Sequence, residues 1–327
     1  MCTAISHHGY FGRNLDLEYG YGEQIVITPR NHPLYFRKTE RMDSHYAYLG
    51  MAALDHGVVL YFDGINEHGL CIAALDFPDN AYYPAPTECD YSIAPFELIP
   101  WILSQCKTVT EVYNLMHKTK IVDIQYGESF PQAPLHWMVS DNAHSLVIEP
   151  MKSGLMLYEN TIAVLCNNPP FPYQMMHLSN FQHLSSGEQP NNFFGLDLKP
   201  YCGGMGALGL PGDYSSPSRF VRAAFVKNHA YSKPHKIDEI TQFFHIMDSV
   251  SMPRGAIRVR GGQYEITRYT SCCDMQQCVY YFTTYENRRI RAVKLHCEKL
   301  DDNKLECFPL YDTQDILCIN EAGLDKR

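Results

Sequence analysis

Met1-Cys2-Thr3-Ala4-Ile5-Ser6-His7-His8-Gly9-Tyr10-Phe11-Gly12-Arg13-Asn14-Leu15-Asp16 opens the chain, and the rest of the reading turns on it. Side chains alternate in character from Cys2 to His7, and Gly9 marks a turn. The segment therefore predicts a hairpin returning through Arg13 and Asp16. Methionine aminopeptidase removes the initiator Met when the next side chain is small, which would leave Cys2 with a thiol and a free α-amino group. Such an amine, with a reference pKa of about 7.7–8, acts as a base near neutral pH, and an ionised thiol is a strong nucleophile. An Arg beside a thiol favours the thiolate; a carboxylate beside an α-amino group orients it and holds its proton. By spacing alone, an Arg and an Asp three apart are more commonly an ordinary surface ion pair, and Arg13 and Asp16 stay open to that reading.

Three further stretches repeat this density of polar residues inside apolar runs. Tyr61-Phe62-Asp63-Gly64-Ile65-Asn66-Glu67-His68-Gly69-Leu70 leads into Ala73-Ala74-Leu75-Asp76-Phe77-Pro78. Val164-Leu165-Cys166-Asn167-Asn168-Pro169 and Gly209-Leu210-Pro211-Gly212-Asp213-Tyr214-Ser215-Ser216-Pro217-Ser218-Arg219-Phe220-Val221-Arg222 follow. Together with Cys2 and Gly12-Arg13-Asn14-Leu15-Asp16, these four signatures, in order over nearly the whole chain, resemble the choloylglycine hydrolase family. That family comprises the bile salt hydrolases and penicillin V acylases among N-terminal nucleophile hydrolases.

Composition sets bounds. The 327 residues carry a net charge of −9 and no Lys/Arg-rich run, which argues against nucleic-acid binding. No apolar run approaches the ~20 residues that span a bilayer, and no basic-then-apolar leader precedes the first signature. Twelve cysteines without a secretion signal read as reduced thiols, so a cytoplasmic location is expected. Cys272-Cys273-Asp274-Met275-Gln276-Gln277-Cys278 lacks the paired ligand sets of a zinc site, so neither metal nor cofactor is expected. Cys71, Cys166 and Cys202 read as core or near-site residues, and His7 and His8 as exposed strand-end residues.

Strands are predicted over 24–28, 58–62, 70–75, 135–139, 145–149, 264–270, 279–285 and 289–295. Residues 141–143 join the middle pair as a hairpin. A helix is expected over 94–104, and another opens at Thr108 with Glu111 in a capping box. Two more are expected from Ser216, with Pro217 in the first turn, and from Asp238. This order does not alternate as βαβ units do, so the fold class is α+β with antiparallel sheets and helices packed outside. The resemblance implies a four-layer αββα sandwich, and with no linker or internal repeat the chain reads as a single domain, 1–327.

The resemblance also implies a chemistry. Cys2 would attack an amide carbonyl, its own amine would carry the proton to the leaving nitrogen, Asp16 would orient that amine and Arg13 would stabilise the thiolate. Asn167 and the Asp76 backbone N–H would donate to the oxyanion, and Arg219 would add positive charge nearby. Sequence alone leaves Asn167 open as a turn residue before Pro169 and Arg219 as a surface residue at a helix start. Where bile salt hydrolases have Asn and penicillin V acylases often Tyr, this chain has Asp76, whose ionised side chain cannot donate a hydrogen bond. The implied partner is a small amphipathic amide, a conjugated bile salt ahead of penicillin V; Asn66–Leu70 and the loop 203–206 favour the former. Tyr10, Phe11, Tyr19, Tyr21, Phe62 and Phe130 are candidate pocket aromatics. A non-catalytic amphipathic-ligand binder is the reading from another class, and a homotetramer follows from the resemblance alone.

Overall fold

The computed structural model describes residues 1–318 except 87–90, 128–131, 234, 260 and 312. Phe130 lies outside the described residues. Two antiparallel sheets face each other. The first runs Val164–Cys166, Cys2–His7, Tyr10–Leu17, Tyr264–Asp274, Val279–Thr284, Arg291–Lys294, with Ile257–Arg258 attached to Tyr264–Asp274. The second runs Gly154–Glu159, Ser145–Met151, Leu135–Ser140, Cys71–Asp76, Asp63–Asn66, Tyr48–Asp55, Gln24–Thr28, Glu306–Pro309, with Val58–Tyr61 attached to Tyr48–Asp55.

Period-two alternation builds the layers. Along Leu135–Ser140, Met138 joins the core between the sheets, while Trp137 and Val139 join a second core beneath the helices Leu98–Leu103 and Val109–Met116. On the far side, Phe220 of helix Ser216–His229 and Phe243 of helix Lys236–Asp248 close over the first sheet. The result is the αββα sandwich that the sequence implies. Strands so enclosed are buried on both faces, which is why Cys2–His7 shows little contrast between its alternate positions.

The opening hairpin forms as predicted, with Cys2 opposite Leu15 and His7 opposite Tyr10. His8 and Gly9 both adopt positive φ, 48° and 82°, the requirement of a two-residue turn that matches strand twist. Gly12 is obligatory for a different reason: a Cβ there would stand 1.9 Å from the Ser271 carbonyl oxygen of the neighbouring strand.

Several expectations need correcting. The strand expected over 58–62 ends at Tyr61; Phe62 separates it from Asp63–Asn66, and the Phe62 carbonyl accepts both from Ala74 N and from the Arg13 guanidinium described below. The helix expected over 94–104 is a 3-10 turn, Pro95–Glu97, followed by Leu98–Leu103. At Thr108 the side chain accepts from Glu111 N, but Glu111 reaches Lys107 N instead of closing a box on Thr108. The last main helix starts at Lys236, two residues before Asp238, and the strand expected over 289–295 covers only Arg291–Lys294. Cys71 and Cys166 are buried, whereas Cys202 is exposed; His8 is exposed, whereas His7 is half-buried. Helix Phe171–Leu178 was not foreseen.

Candidate active site

Hairpin register decides which group meets which. Arg13 lies opposite Ala4 and so shares a face with Cys2, between the sheets; Asn14 and Asp16 share the opposite face with Thr3, beneath the helices. Arg13 and Asp16 thus approach Cys2 from opposite sides.

On the inter-sheet side Arg13 Nη2 donates to Cys2 Sγ. Its Nη1 donates to the Ala74 carbonyl at 2.5 Å and to the Phe62 carbonyl at 3.2 Å, which fix the guanidinium. Behind it sits Asp63, fully buried, accepting from Tyr269 Oη at 2.7 Å, Tyr280 Oη at 2.5 Å and Ser271 Oγ at 3.3 Å. Burial pushes the Asp63 carboxyl up, against Arg13 and the two tyrosines, which favour its charge. Burial alone would lower the Arg13 pKa; Cys2, Tyr269, Asp63 and Asp16 outweigh it and hold the guanidinium above its ordinary range.

On the helix side, Arg219 enters from the first turn of Ser216–His229. Its Nη1 donates to the Cys2 carbonyl at 2.6 Å and to Thr3 Oγ1 at 2.5 Å, and its Nη2 to Asn167 Oδ1 at 2.7 Å. Asp213 organises that turn, accepting from Ser215 N at 2.9 Å and Ser218 Oγ at 2.6 Å, and these bonds pull its carboxyl down to about 2. Asp16 accepts from Thr267 Oγ1 at 2.6 Å, and its other oxygen lies 3.9 Å from Arg219 Nη1 with no hydrogen bond among the described residues. Burial raises the Asp16 pKa, opposed by Arg219, the chain's amine and Thr267.

Asn167 joins the two sides. Its Oδ1 accepts from the Cys2 backbone N–H at 2.7 Å, and its Nδ2 donates to the Asp76 carbonyl at 2.6 Å. One of the two amide hydrogens is so used and one remains. Asp76 ends its strand. Ala74 N donates to the Phe62 carbonyl and Phe77 N to Pro134, so alternation turns the Asp76 N–H away from Pro134, toward Asn167. Burial raises the Asp76 carboxyl, against the chain's amine and His136. Met1 occupies the position beside Asp16: its amine donates to the Asp16 carbonyl and pairs with Glu265, and its carbonyl accepts from Asp16 N.

All six residues singled out from sequence therefore converge, and Cys2 is only 3% exposed. Three other motif elements do not. Asn66 is a buried scaffold residue bonded to Leu103 and Cys106 carbonyls, Tyr10 bonds Glu239, and Phe11 belongs to the core. Tyr10 and Phe11 lie at the turn end of the hairpin, more than ~10 Å along the strand from Cys2. Phe62 and Tyr21 do pack together, with ring centroids 5.9 Å apart, and Tyr21 meets Tyr19 at 5.1 Å. Sequence reasoning gave no role to Asp63, Thr267, Tyr269, Tyr280 or Gln174. Only Asp63 carried a signal, a carboxylate inside a buried strand that requires partners.

The linear amide C–N hydrolases of the choloylglycine hydrolase family match residues 2–315. A bile salt hydrolase/transferase of Lactiplantibacillus plantarum is 47% identical over 98% of this chain and 100% of its own length. One from Clostridium perfringens is 33% identical over the same shares. The crystal structure of a conjugated bile acid hydrolase variant from C. perfringens superposes with a TM-score of 0.90, at 33% identity, over 98% of this chain and 100% of that one. A penicillin V acylase from Agrobacterium tumefaciens shares the fold, with a TM-score of 0.76 at 18% identity over 94% and 90% of the two chains.

Proposed function

The chain belongs to the choloylglycine hydrolase family, and from that premise we propose that it cleaves the amide bond of glycine- and taurine-conjugated bile salts with Cys2 as nucleophile. The observation that carries this reading is the Arg13 guanidinium on Cys2 Sγ while Asn167 and Arg219 grip the Cys2 backbone. A carrier needs none of this, and family membership removes the non-catalytic reading.

The mechanism starts with loss of Met1, which converts the Cys2 amide nitrogen into an amine beside Asp16. The thiol proton moves to that amine, and the thiolate, held by Arg13, attacks the substrate carbonyl. Negative charge develops on the carbonyl oxygen, to which the Asp76 N–H and the second Nδ2 hydrogen of Asn167 would donate. The protonated amine gives its proton to the departing nitrogen, the C–N bond breaks, and a thioester remains. Water, deprotonated by the same amine, attacks the thioester and releases the acid and the thiol. Arg219 contacts the Cys2 carbonyl and Asn167 Oδ1, so its charge acts by fixing the nucleophile's backbone and polarising the Asn167 amide. The whole chain works as a single catalytic unit.

The test is turnover of glycocholate, taurocholate and penicillin V by purified protein, with intact mass in parallel. The two conjugates should turn over faster than penicillin V in protein lacking Met1. Active protein that retains Met1, or a Cys2→Ala variant with wild-type turnover, would overturn the mechanism. We further place the enzyme in the cytoplasm, since all eleven described cysteines are free thiols and no described helix is long and apolar enough to cross a membrane. We read its assembly as a homo-oligomer, a tetramer by resemblance, on the apolar side chains exposed between Phe193 and Tyr201.

A further inference from the structure

His136 and Glu149 are both fully buried on neighbouring strands of the second sheet, with His136 Nδ1 3.1 Å from Glu149 Oε1. Neither touches Cys2. The same Glu149 oxygen accepts from Phe171 N at 3.0 Å, the first residue of helix Phe171–Leu178, a placement that also opposes a carboxylate to the helix N-terminus. One turn on, Gln174 Nε2 donates to the Asn167 and Pro169 carbonyls, so the helix is tied to the segment bearing Asn167. On the other side the His136 ring stacks on Phe77, with centroids 4.2 Å apart and planes 6° from parallel. Phe77 follows Asp76 directly, and Phe77 N donates to Pro134 two residues before His136.

The pair therefore reaches both arms of the oxyanion pocket: Asp76 through Phe77, and Asn167 through Phe171 and Gln174. We propose that His136 and Glu149 are positioning residues that set the separation of the Asp76 N–H and the Asn167 amide, and so act on the tetrahedral intermediate without touching substrate. Burying an ionisable pair is costly. Glu149 Oε2 and His136 Nε2 make no hydrogen bond among the described residues, so the pair's own contacts offset little of that cost. What its remaining bonds secure is the loop that presents Asn167.

The inference rests on the functional reading above, and the experiment separates the two. Glu149→Leu, Glu149→Gln and His136→Phe are compared with wild type on glycocholate for kcat and KM. Alkylation of Cys2 by iodoacetamide is followed in parallel by peptide mass spectrometry, because that reaction forms no oxyanion. Glu149→Leu should lower kcat about 10- to 100-fold while KM changes by less than about three-fold and Cys2 alkylation keeps its rate. Glu149→Gln keeps a carbonyl acceptor for Phe171 N and should recover most of the loss. His136→Phe keeps the stack but loses the Nδ1 bond and should fall between. Should Glu149→Leu fail to fold, Gln174→Leu removes the next link and should show the same split. Unchanged kcat per alkylatable Cys2 in Glu149→Leu, or in Gln174→Leu where that stands in for it, overturns the positioning role. So does a kcat loss matched by an equal loss of alkylation rate. Wild-type protein that does not cleave glycocholate overturns the functional reading instead.

Discussion

The strongest constraint on any single residue is that Arg13 donates to the Cys2 thiol while its charge also favours the ionised form of buried Asp63. Arg13→Ala should therefore lower kcat by about 100-fold or more with KM little changed, and also lower the melting temperature by leaving Asp63 uncompensated. Asp16→Ala should depress kcat similarly, since its Oδ2, 3.9 Å from Arg219 Nη1 and without a hydrogen bond among the described residues, is available to a freed Cys2 amine. Steady-state kinetics normalised to folded protein checks both; near-full turnover in either variant would demote that residue to structure. Asp76 makes a separate prediction. A thioester on Cys2 can be taken by water or by another amine, according to how well each is positioned. Incubation with one conjugate and excess of a second amino acid should yield the exchanged conjugate by mass spectrometry, with Asp76→Asn altering the ratio of exchange to hydrolysis. Exclusive release of free acid, unchanged in Asp76→Asn, would leave Asp76 serving through its backbone alone. These residues were legible because Cys2, Arg13 and Asp16 lie within one hairpin whose period fixes their faces. Tyr269, Tyr280 and Thr267 were not, because their roles depend on pairing across more than 200 residues of chain.

At the level of elements, sequence was most informative where local chemistry dictates geometry and least where a neighbour does. The two positive-φ residues at His8-Gly9 specify the hairpin by themselves. At the break at Phe62 the carbonyl accepts from Arg13 and Ala74, partners distant in sequence that no local signal announces. Helix Phe171–Leu178 was missed because its start is capped from another strand, by Glu149, and not by its own Ser, Thr or Asp. The strand Cys2–His7 carries a prediction at its far end. Burial, His8 and Lys227 lower the His7 pKa from 6.5 to about 4, and its Nε2 has no partner among the described residues. Because the folded pKa lies below the unfolded value, the unfolded chain binds the extra proton first. This part of the stability is present above pH 6.5 and is lost as pH falls toward about 4, flattening below. A His7→Gln variant should show a shallower fall in melting temperature across that window. Parallel curves for the two proteins would assign the acid sensitivity elsewhere.

For the whole molecule, the layers were inferable from element order, but the surface was not. Between the 3-10 turn at Ser179–Phe181 and the one at Met205–Ala207 the chain runs without helix or strand. Phe193, Phe194, Leu196, Leu198 and Tyr201 are exposed along it, Phe194 completely. A run of large apolar side chains in water is unfavourable by about 25 cal/mol per Å² and is usually covered by a partner. The same run leads to Asp213 and Arg219, so the segment that would be covered ends at the turn holding the Cys2 backbone. Assembly should therefore stabilise the site as well as the surface. Phe194→Ser combined with Leu196→Ser should shift sedimenting species toward monomer and abolish the rise of melting temperature with protein concentration. If the segment steadies Arg219, the monomeric variant should also lose turnover at high temperature before it unfolds globally. A wild-type protein that sediments as a monomer at every concentration, or a double variant that assembles like wild type, would exclude this segment as the assembly surface.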